Sequence, residues 1–164
     1  ALSIQYGFKV IEDASHAIGG RYLEQPIGAC EYSDITVFSF HPVKIVTTAE
    51  GGAALTNSKA LADKMALYRS HGITRDEALM ENASHGGWYY EQIDLGFNYR
   101  MTELQAALGV SQMSRLGDFV SARHQLAKRY NEKLAELPIT LPYQLPNTYS
   151  GQLSLFWIKK IFFF

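Results

Sequence analysis

Lys44 and Asp13 are the residues whose types and spacing point most directly to chemistry. Lys44 ends the segment Ser39–Lys44, which follows the apolar run Ile35–Phe38. Asp13 ends another strand-like run, which begins at Val10. A lysine amine can form a Schiff base with an aldehyde, and an aspartate carboxylate can pair with a protonated pyridine nitrogen. These two groups are the minimal protein parts of a site for pyridoxal 5′-phosphate (PLP).

The separation of the two residues fits neighbouring strands of an open sheet, where strand ends border a ligand crevice. Each residue also has an ordinary interpretation. Lys44 taken alone resembles a surface lysine after a proline turn, and Asp13 could cap a helix after a strand. If Asp13 does face a pyridine nitrogen, its negative charge keeps that nitrogen protonated. The ring can then accept electrons from a substrate.

Other polar residues near these segments could complete such a site. Ser39 at a strand end, and the hydroxyls and glycines of Thr47–Gly52, suit a cofactor phosphate. His16 could contact the cofactor or fill a polar loop pocket. Asn98 precedes a helix start, where an amide could bind phosphate or simply form a turn. The aromatic run Trp88–Tyr90 could stack on a nucleobase or sugar, or pack against the edge of a core.

The composition excludes several classes of function. The chain has 164 residues, of which 47% are hydrophobic and 19% charged, and its net charge of −1 gives no basic field for nucleic acid. The single cysteine, Cys30, excludes an intrachain disulfide, and the five histidines are too dispersed to predict a metal site. No signal peptide is evident, and the apolar tail Leu153–Phe164 is too short to cross a membrane. We expect a cytoplasmic protein.

Both ends of the chain suggest an internal fragment. The sequence begins without Met, inside what reads as a helix, and it stops in the apolar tail Leu153–Phe164. That tail could be a strand whose partners lie further on, or an out-of-frame ending. We expect uncovered sheet edges and this tail to make the isolated chain self-associate.

Strands that alternate with helices predict an α/β layer structure. A capping box at Thr102 and Gln105 marks the start of the longest helical segment, which we expect to kink or break near Gly117–Asp118. The predicted elements are a helix end within 1–9, strands at Lys9–Glu12, Asp34–Phe40 and Ala53–Thr56, a helix at Lys59–Ser70, loops at Ala17–Cys30 and 73–101, a helical segment from Thr102 to Leu137, and an extended stretch from Pro138 to Pro146.

Four segments together resemble the DegT/StrS-type nucleotide-sugar aminotransferases, a branch of the fold-type I PLP enzymes. The segments are Val10–Gly19, Phe38–Lys44, Thr47–Gly52 and Gly96–Gly109, and the resemblance covers roughly residues 1–145. It implies that residues 1–116 are part of a PLP-binding large domain with a mixed, mostly parallel sheet flanked by helices. Residues 117–164 would form a connecting helix and the truncated start of a C-terminal small domain.

The resemblance also implies residue roles. Lys44 would be the Schiff-base lysine, Asp13 the partner of the pyridine nitrogen, and His16 a neighbour of the cofactor ring. Ser39 would bind the PLP phosphate, and Asn98 would bind the phosphate of the neighbouring subunit in a homodimer with shared active sites. Similarity to the branch of pseudaminic acid biosynthesis implies a UDP-linked 4-keto-6-deoxy amino sugar as substrate and L-glutamate as amino donor.

Two alternatives stay open, and the sequence argues against two others. The family's N-terminal phosphate loop and stacking aromatic are not in this sequence, so the chain could be an inactive remnant or a different nucleotide-sugar aminotransferase of the family. A sugar-nucleotide dehydratase of the family would have histidine in place of Lys44. A Rossmann-type binding domain would need a Gly-x-Gly-x-x-Gly motif after a strand, and the sequence has none.

Overall fold

The structure is a computed structural model that describes residues 2–150, so the predicted tail strand lies outside the described residues. Helices and strands alternate along the chain in an α/β arrangement, as the sequence predicts. In chain order the elements are α1 (Leu2–Tyr6), β1 (Ile11–Asp13), β2 (Arg21–Tyr22), β3 (Gln25–Pro26), β4 (Ile35–Ser39), β5 (Gly52–Leu55), α2 (Lys59–Arg69), β6 (Ile73–Thr74), a 3₁₀ turn (Glu77–Leu79), β7 (Glu91–Gln92), α3 (Glu103–Met113), α4 (Leu116–Leu134) and β8 (Thr148–Tyr149).

A three-stranded sheet in the order β1-β4-β5 positions the candidate chemistry. β1 runs parallel to β4, and Asp13 lies opposite Val37. β5 runs antiparallel to β4, with Ser39 opposite Gly52. The sequence predicts all three strands, although β1 begins and ends slightly later than Lys9–Glu12. β4 is the most buried of them, because its β-branched and aromatic residues pack on both faces.

The hydrophobic core lies beneath the carboxyl ends of β1 and β4. It consists of buried residues from β4, from the two segments that follow β1 and β4, and from α4. Those residues are Ala14, Ile18, Phe38, Ile45, Val46 and Val120. Because most of them follow Asp13 or Lys44 closely in sequence, the core holds in place the two loops that carry these side chains.

Side-chain caps mark the starts of α2 and α3. The Ser58 side chain accepts a hydrogen bond from Leu61 N at the start of α2. Thr102 and Gln105 form a complete capping box at the start of α3. The kink or break predicted near Gly117–Asp118 is present as a break slightly earlier, at Ser114 and Arg115. There the Ser114 hydroxyl donates to Ser111 O, a local bond that competes with helix continuation.

Two segments predicted as loops contain short strands. Within Ala17–Cys30, β2 and β3 form a hairpin, and β8 pairs with the other side of β2. The turn of this hairpin has Leu23 at φ 46° and Glu24 at φ 65°, although residues without glycine's freedom rarely adopt such angles. Within 73–101, β6 pairs with β7. Such two-residue strands are stabilised by distant partners, so the local sequence carries little signal for them.

A second misjudged boundary lies at the end of α4. The helix ends at Leu134 rather than Leu137. The chain beyond Pro138 forms no further helix before β8 begins at Thr148. Leu137 N donates to Leu134 O in a tighter turn that finishes the helix before the proline.

Gly72 and Gly96 allow the chain after α2 to pack directly against the chain before α3. Gly72 has φ +69°, and a Cβ there would lie 1.9 Å from Asp94 O. A Cβ at Gly96 would lie 2.2 Å from Gly72 N. The close approach lets Phe97 N donate to Tyr68 O and His71 N donate to Phe97 O. This contact fixes the segment that leads into α3.

Replacing Gly72 by alanine should therefore destabilise the protein, whereas Gly87→Ala should be nearly neutral. Gly72 has a left-handed φ, and a Cβ added there would clash with the backbone of Asp94. Gly87 has no left-handed φ, and a Cβ added there would have no other atom within 4 Å. We expect Gly72→Ala to lower the free energy of unfolding by about 2 kcal/mol or more. Urea denaturation of both variants measures the difference, and equal midpoints would contradict the close approach.

Candidate active site

The site is built where β1 and β4 end at the same edge of the sheet. The strands are parallel, so their carboxyl ends lie side by side, and Ala14 N donates to Val37 O just beyond β1. Asp13 is the last residue of β1, and Ser39 is the last residue of β4. The sequence prediction that these two strand ends are neighbours is confirmed.

Lys44 lies in a loop that is closed at its base and anchored in the core. Phe40 N donates to Gly51 O at 2.8 Å, which joins the two ends of the loop. Ile45 and Val46 are buried directly after the lysine. Thr48, also buried, donates its hydroxyl to Glu50 O at 2.8 Å. These contacts hold the Lys44 backbone while its half-buried side chain extends toward the strand edge.

The lysine side chain reaches the segment that follows β1. Lys44 Nζ lies 2.6 Å from His16 Nε2, although the two residues are 28 positions apart. His16 follows the buried Ala14, and Ala17 N donates to Ala14 O in the turn that presents the imidazole. The structure therefore brings two of the predicted site residues into direct contact.

Asp13 stands beside this pair as a carboxylate. Hydrogen bonds from the Ser15 hydroxyl (2.5 Å) and the Ser15 backbone N–H (3.0 Å) lower the pKa of Asp13, and the nearby charges of His16 and Lys44 lower it further. Within residues 2–150 both hydrogen bonds are accepted by Oδ1, so Oδ2 can face another group. The aspartate is thus ionised at neutral pH, with one oxygen held by its own turn.

Ser39 and Asn98 lie differently with respect to this cluster. Ser39 starts the Lys44 loop, and its hydroxyl accepts a hydrogen bond from His41 N at 3.4 Å. Asn98 forms an isolated bridge with Ser70 beyond the end of α2, and its side chain is exposed. No hydrogen bond in the described part of the chain joins Asn98 to Lys44, Asp13 or His16.

Comparison with known proteins identifies the family. A sequence profile of the DegT/DnrJ/EryC1/StrS aminotransferase family matches residues 1–160. The chain belongs to this family. The resemblance carried by the four sequence segments is therefore confirmed, and the fold is that of part of a PLP aminotransferase.

Individual relatives are consistent with this membership. The chain is 36% identical over 137 residues to the UDP-4-amino-4,6-dideoxy-N-acetyl-beta-L-altrosamine transaminase of Campylobacter jejuni, covering 84% of this chain and 34% of that protein. It superimposes on Helicobacter pylori PseC, an aminotransferase of pseudoaminic acid biosynthesis, with a TM-score of 0.79 and 33% identity, covering 92% of this chain and 38% of that one. The PLP-form of Spr1654 from Streptococcus pneumoniae gives a TM-score of 0.76 at 26% identity, covering 92% and 37%. The chain spans about a third of the length of the curated relatives it matches.

The groups at the strand edge of this DegT/StrS family member fit PLP chemically. An amine and an imidazole are in direct contact there, an ionised carboxylate lies beside them, and the neighbouring strand ends in a hydroxyl. An aldehyde requires the amine, a protonated pyridine requires the carboxylate, and a phosphate accepts hydrogen bonds from hydroxyls. By contrast, residues 2–150 contain no cluster of three His, Cys, Asp or Glu side chains suited to a metal ion.

A cavity beside His16 includes residues that the sequence did not single out. It has a volume of about 330 Å³ and is bordered by the β2–β3 hairpin and by the segment around β8. Its polar lining residues are His16, Arg21, Tyr22, Tyr143, Gln144, Thr148, Tyr149 and Ser150. His124 on α4 stacks on Tyr149 at 4.2 Å and holds this segment in place. Because residues 143–150 lie so far from His16 in sequence, no local pattern predicts their approach.

A larger cavity of about 1110 Å³ lies away from the candidate chemistry. Its lining is mainly apolar and comes from β4, β5, α2 and the segment 97–101. None of the five predicted site residues lines it.

Among the described residues, no helix has both the length and the hydropathy needed to span a bilayer.

Glu91 organises the aromatic loop that precedes it. Its carboxylate accepts hydrogen bonds from Glu81 N (2.7 Å), from both Asn82 nitrogens and from the Tyr89 hydroxyl (2.7 Å). These donors lower the pKa of Glu91 from 4.5 to about 2, the Tyr89 hydroxyl having the largest effect. Trp88 and Tyr90 on the same loop remain exposed. No motif or spacing in the sequence distinguishes Glu91 from the other acidic residues.

The pH dependence of this loop should follow the lowered pKa of Glu91. Its ionised form is favoured in the folded loop, so the stabilisation is complete above about pH 4.5 and is lost as the pH falls through about 2. An NMR titration of the Glu81 amide should show an inflection near pH 2. Glu91→Gln should remove that inflection. An inflection at or above pH 4.5 in the wild type would contradict the stabilisation of the Glu91 carboxylate by these hydrogen bonds.

Proposed function

We propose that this chain carries the cofactor-bonding part of a PLP-dependent nucleotide-sugar aminotransferase. The observation that carries the proposal is the convergence of Lys44, His16 and Asp13 at the ends of two parallel strands. This arrangement combines a reachable amine with an ionised carboxylate, on a chain that belongs to an aminotransferase family.

Each site residue has a role toward PLP that its position supports. Lys44 Nζ would form the covalent link, because its loop is anchored by buried neighbours while its amine stays accessible. Asp13 Oδ2 would hold a proton on the pyridine nitrogen, and His16 would lie beside the ring. The Ser39 hydroxyl at the start of the loop would donate to the phosphate.

When bound, PLP supplies an aldehyde that bonds to amines and a ring that accepts electron density from the adjacent carbon. The chain's own residues supply the proton movements. The Lys44 amine, whenever it is not bonded to the cofactor, would take a proton from the α-carbon of the amino donor and later give it back. An arginine could not do this, because a guanidinium stays protonated.

The substrate class is inferred from the relatives. We infer a UDP-linked 4-keto-6-deoxy amino sugar as amino acceptor and L-glutamate as donor. The transaminase activity of the C. jejuni relative and the pathway of the H. pylori neighbour support this choice. The same comparison supports a cytoplasmic enzyme of sugar-nucleotide metabolism.

We further propose a homodimer in which Asn98 serves the partner's site. The exposed Asn98 side chain lies in a segment fixed by the bridge to Ser70 and by Tyr99 N donating to Arg69 O. A rigid, outward amide of this kind can bind a phosphate across an interface. The division into a large-domain part (1–116) and a connecting helix with the start of a small domain (117–164) belongs to the same proposal.

The Lys44 assignment can be tested by trapping. Because the chain spans about a third of its relatives, we would place it in a chimera that replaces the matching residues of the C. jejuni transaminase. Borohydride treatment with PLP should attach the cofactor to Lys44, as read by peptide mass spectrometry. Lys44→Ala should lose the adduct, and Lys59→Ala, which removes an exposed lysine of α2, should keep it. An adduct on Lys59, or no adduct, would contradict the assignment.

Asp13→Asn tests the carboxylate separately from the covalent link. The substitution keeps the side-chain shape but removes the charge that holds a proton on the pyridine nitrogen. In the same chimera we expect PLP trapping on Lys44 to persist while turnover falls at least about 100-fold. Asp63→Asn on α2 is the control and should retain turnover. Undiminished turnover in Asp13→Asn would rule out this role.

A further inference from the structure

The contact between Lys44 and His16 constrains where a proton can lie. The two nitrogens are 2.6 Å apart, so one must donate and the other must accept. A protonated lysine amine has only donors, and a doubly protonated imidazole has only donors as well. The pair can therefore hold this geometry with one shared positive charge but not with two.

The groups around the pair include one carboxylate, which attracts positive charge. Asp13, ionised at the end of β1, interacts electrostatically with both His16 and Lys44. On the Lys44 loop, His41 lies 4.0 Å from Glu50, which offsets its charge when it is protonated. The titratable groups that border His16 from the hairpin and the β8 segment are Arg21, Tyr22, Tyr143 and Tyr149, and His124 faces them from α4.

Both partners of the contact are held by their backbones. Lys44 N donates to His41 O at 2.9 Å, and Ile45 and Val46 are buried beside it. On the other side, Gly20 N donates to Ala17 O, which continues the turn that presents His16. The two nitrogens are thus brought together by two anchored loops rather than by chance encounter of surface side chains.

We propose that His16 is the proton acceptor that converts Lys44 into a nucleophile. When Lys44 Nζ attacks an electrophilic carbon, its proton passes to His16 Nε2 and from there to water. The proposal rests on Lys44 being the reactive lysine of the proposed function, but it concerns the chain without cofactor. In the proposed function His16 lies beside the PLP ring. The present proposal gives His16 a second role, in which it acts on Lys44 itself.

Acetylation by acetic anhydride measures this property directly on the 164-residue chain. His16 takes one proton from the Lys44 ammonium, and the freed lone pair of the nitrogen bonds to the acetyl carbon. Acetate leaves with the electrons of the broken C–O bond, and the second N–H proton passes to water. Quantitative mass spectrometry compares the rate at Lys44 with the rate at Lys133, an exposed lysine of α4, in the same digest. At pH 7 we expect Lys44 to react roughly 10- to 100-fold faster than Lys133. The ratio should fall toward one in strongly alkaline solution, where hydroxide rather than His16 takes the proton.

Variants separate proton transfer from simple hydrogen bonding. Gln in His16→Gln can accept a hydrogen bond but cannot take the proton, so the pH 7 ratio should fall about tenfold. Imidazole added to His16→Gly should restore part of the rate, and His85→Gln, on the aromatic loop, should change nothing. A wild-type ratio that does not vary with pH would overturn the proposal without recourse to any variant. So would wild-type reactivity in a folded His16→Gln.

This test and the trapping test fail independently. A PLP adduct on another lysine, with the acetylation pattern as expected, would contradict the proposed function and leave the proton role standing. A normal adduct on Lys44 with a pH-independent acetylation ratio would contradict the proton role alone.

Discussion

The parallel pairing of β1 with β4 is the interaction on which the rest of the site depends. Its register sets Asp13 opposite Val37, two residues before β4 ends at Ser39. A one-residue slip would turn the Asp13 side chain to the other face of the sheet. The backbone register of three residue pairs therefore decides whether the carboxylate and the lysine loop share one edge.

Two helices, α3 and α4, pack against the loops that follow β4 and β1. A Cβ at Gly19 would lie 2.8 Å from Val120 Cγ2, so the loop after β1 rests directly on α4. A Cβ at Gly109 would lie 2.9 Å from Thr48 Cγ2, so α3 packs closely on the Lys44 loop. Two glycines thus let two helices approach the two loops that carry the reactive side chains, which limits the movement of Lys44 and His16.

The elements that could be predicted from the sequence are those specified by nearby residues. β4 has a dense run of β-branched and aromatic side chains, and α3 has a capping box, so the sequence predicts both closely. The β2–β3 hairpin escapes prediction because its turn residues, Leu23 and Glu24, carry no turn signal and depend on Asn147 for a backbone partner. The helix break lies at Ser114 because a side-chain hydrogen bond, rather than Gly117, interrupts the helix.

In the candidate site, too, some features are specified by nearby residues and others depend on distant parts of the chain. Spacing and strand pattern mark Asp13 and Lys44 as candidates, because each follows a recognisable strand. The direct contact of Lys44 with His16 could not be predicted, since it depends on the register of the sheet and the path of two loops. Glu91 escapes prediction for a related reason, because its partners at positions 81 and 82 lie across a long loop.

We propose that the shared strand edge places Lys44 and Asp13 at opposite ends of one PLP molecule. A crystal structure of the chimera with PLP tests it most directly. The account predicts electron density continuous between Lys44 Nζ and the cofactor, with Asp13 Oδ2 within hydrogen-bonding distance, about 2.8 Å, of the pyridine nitrogen. PLP bound elsewhere, or bound with its nitrogen turned away from Asp13, would contradict it.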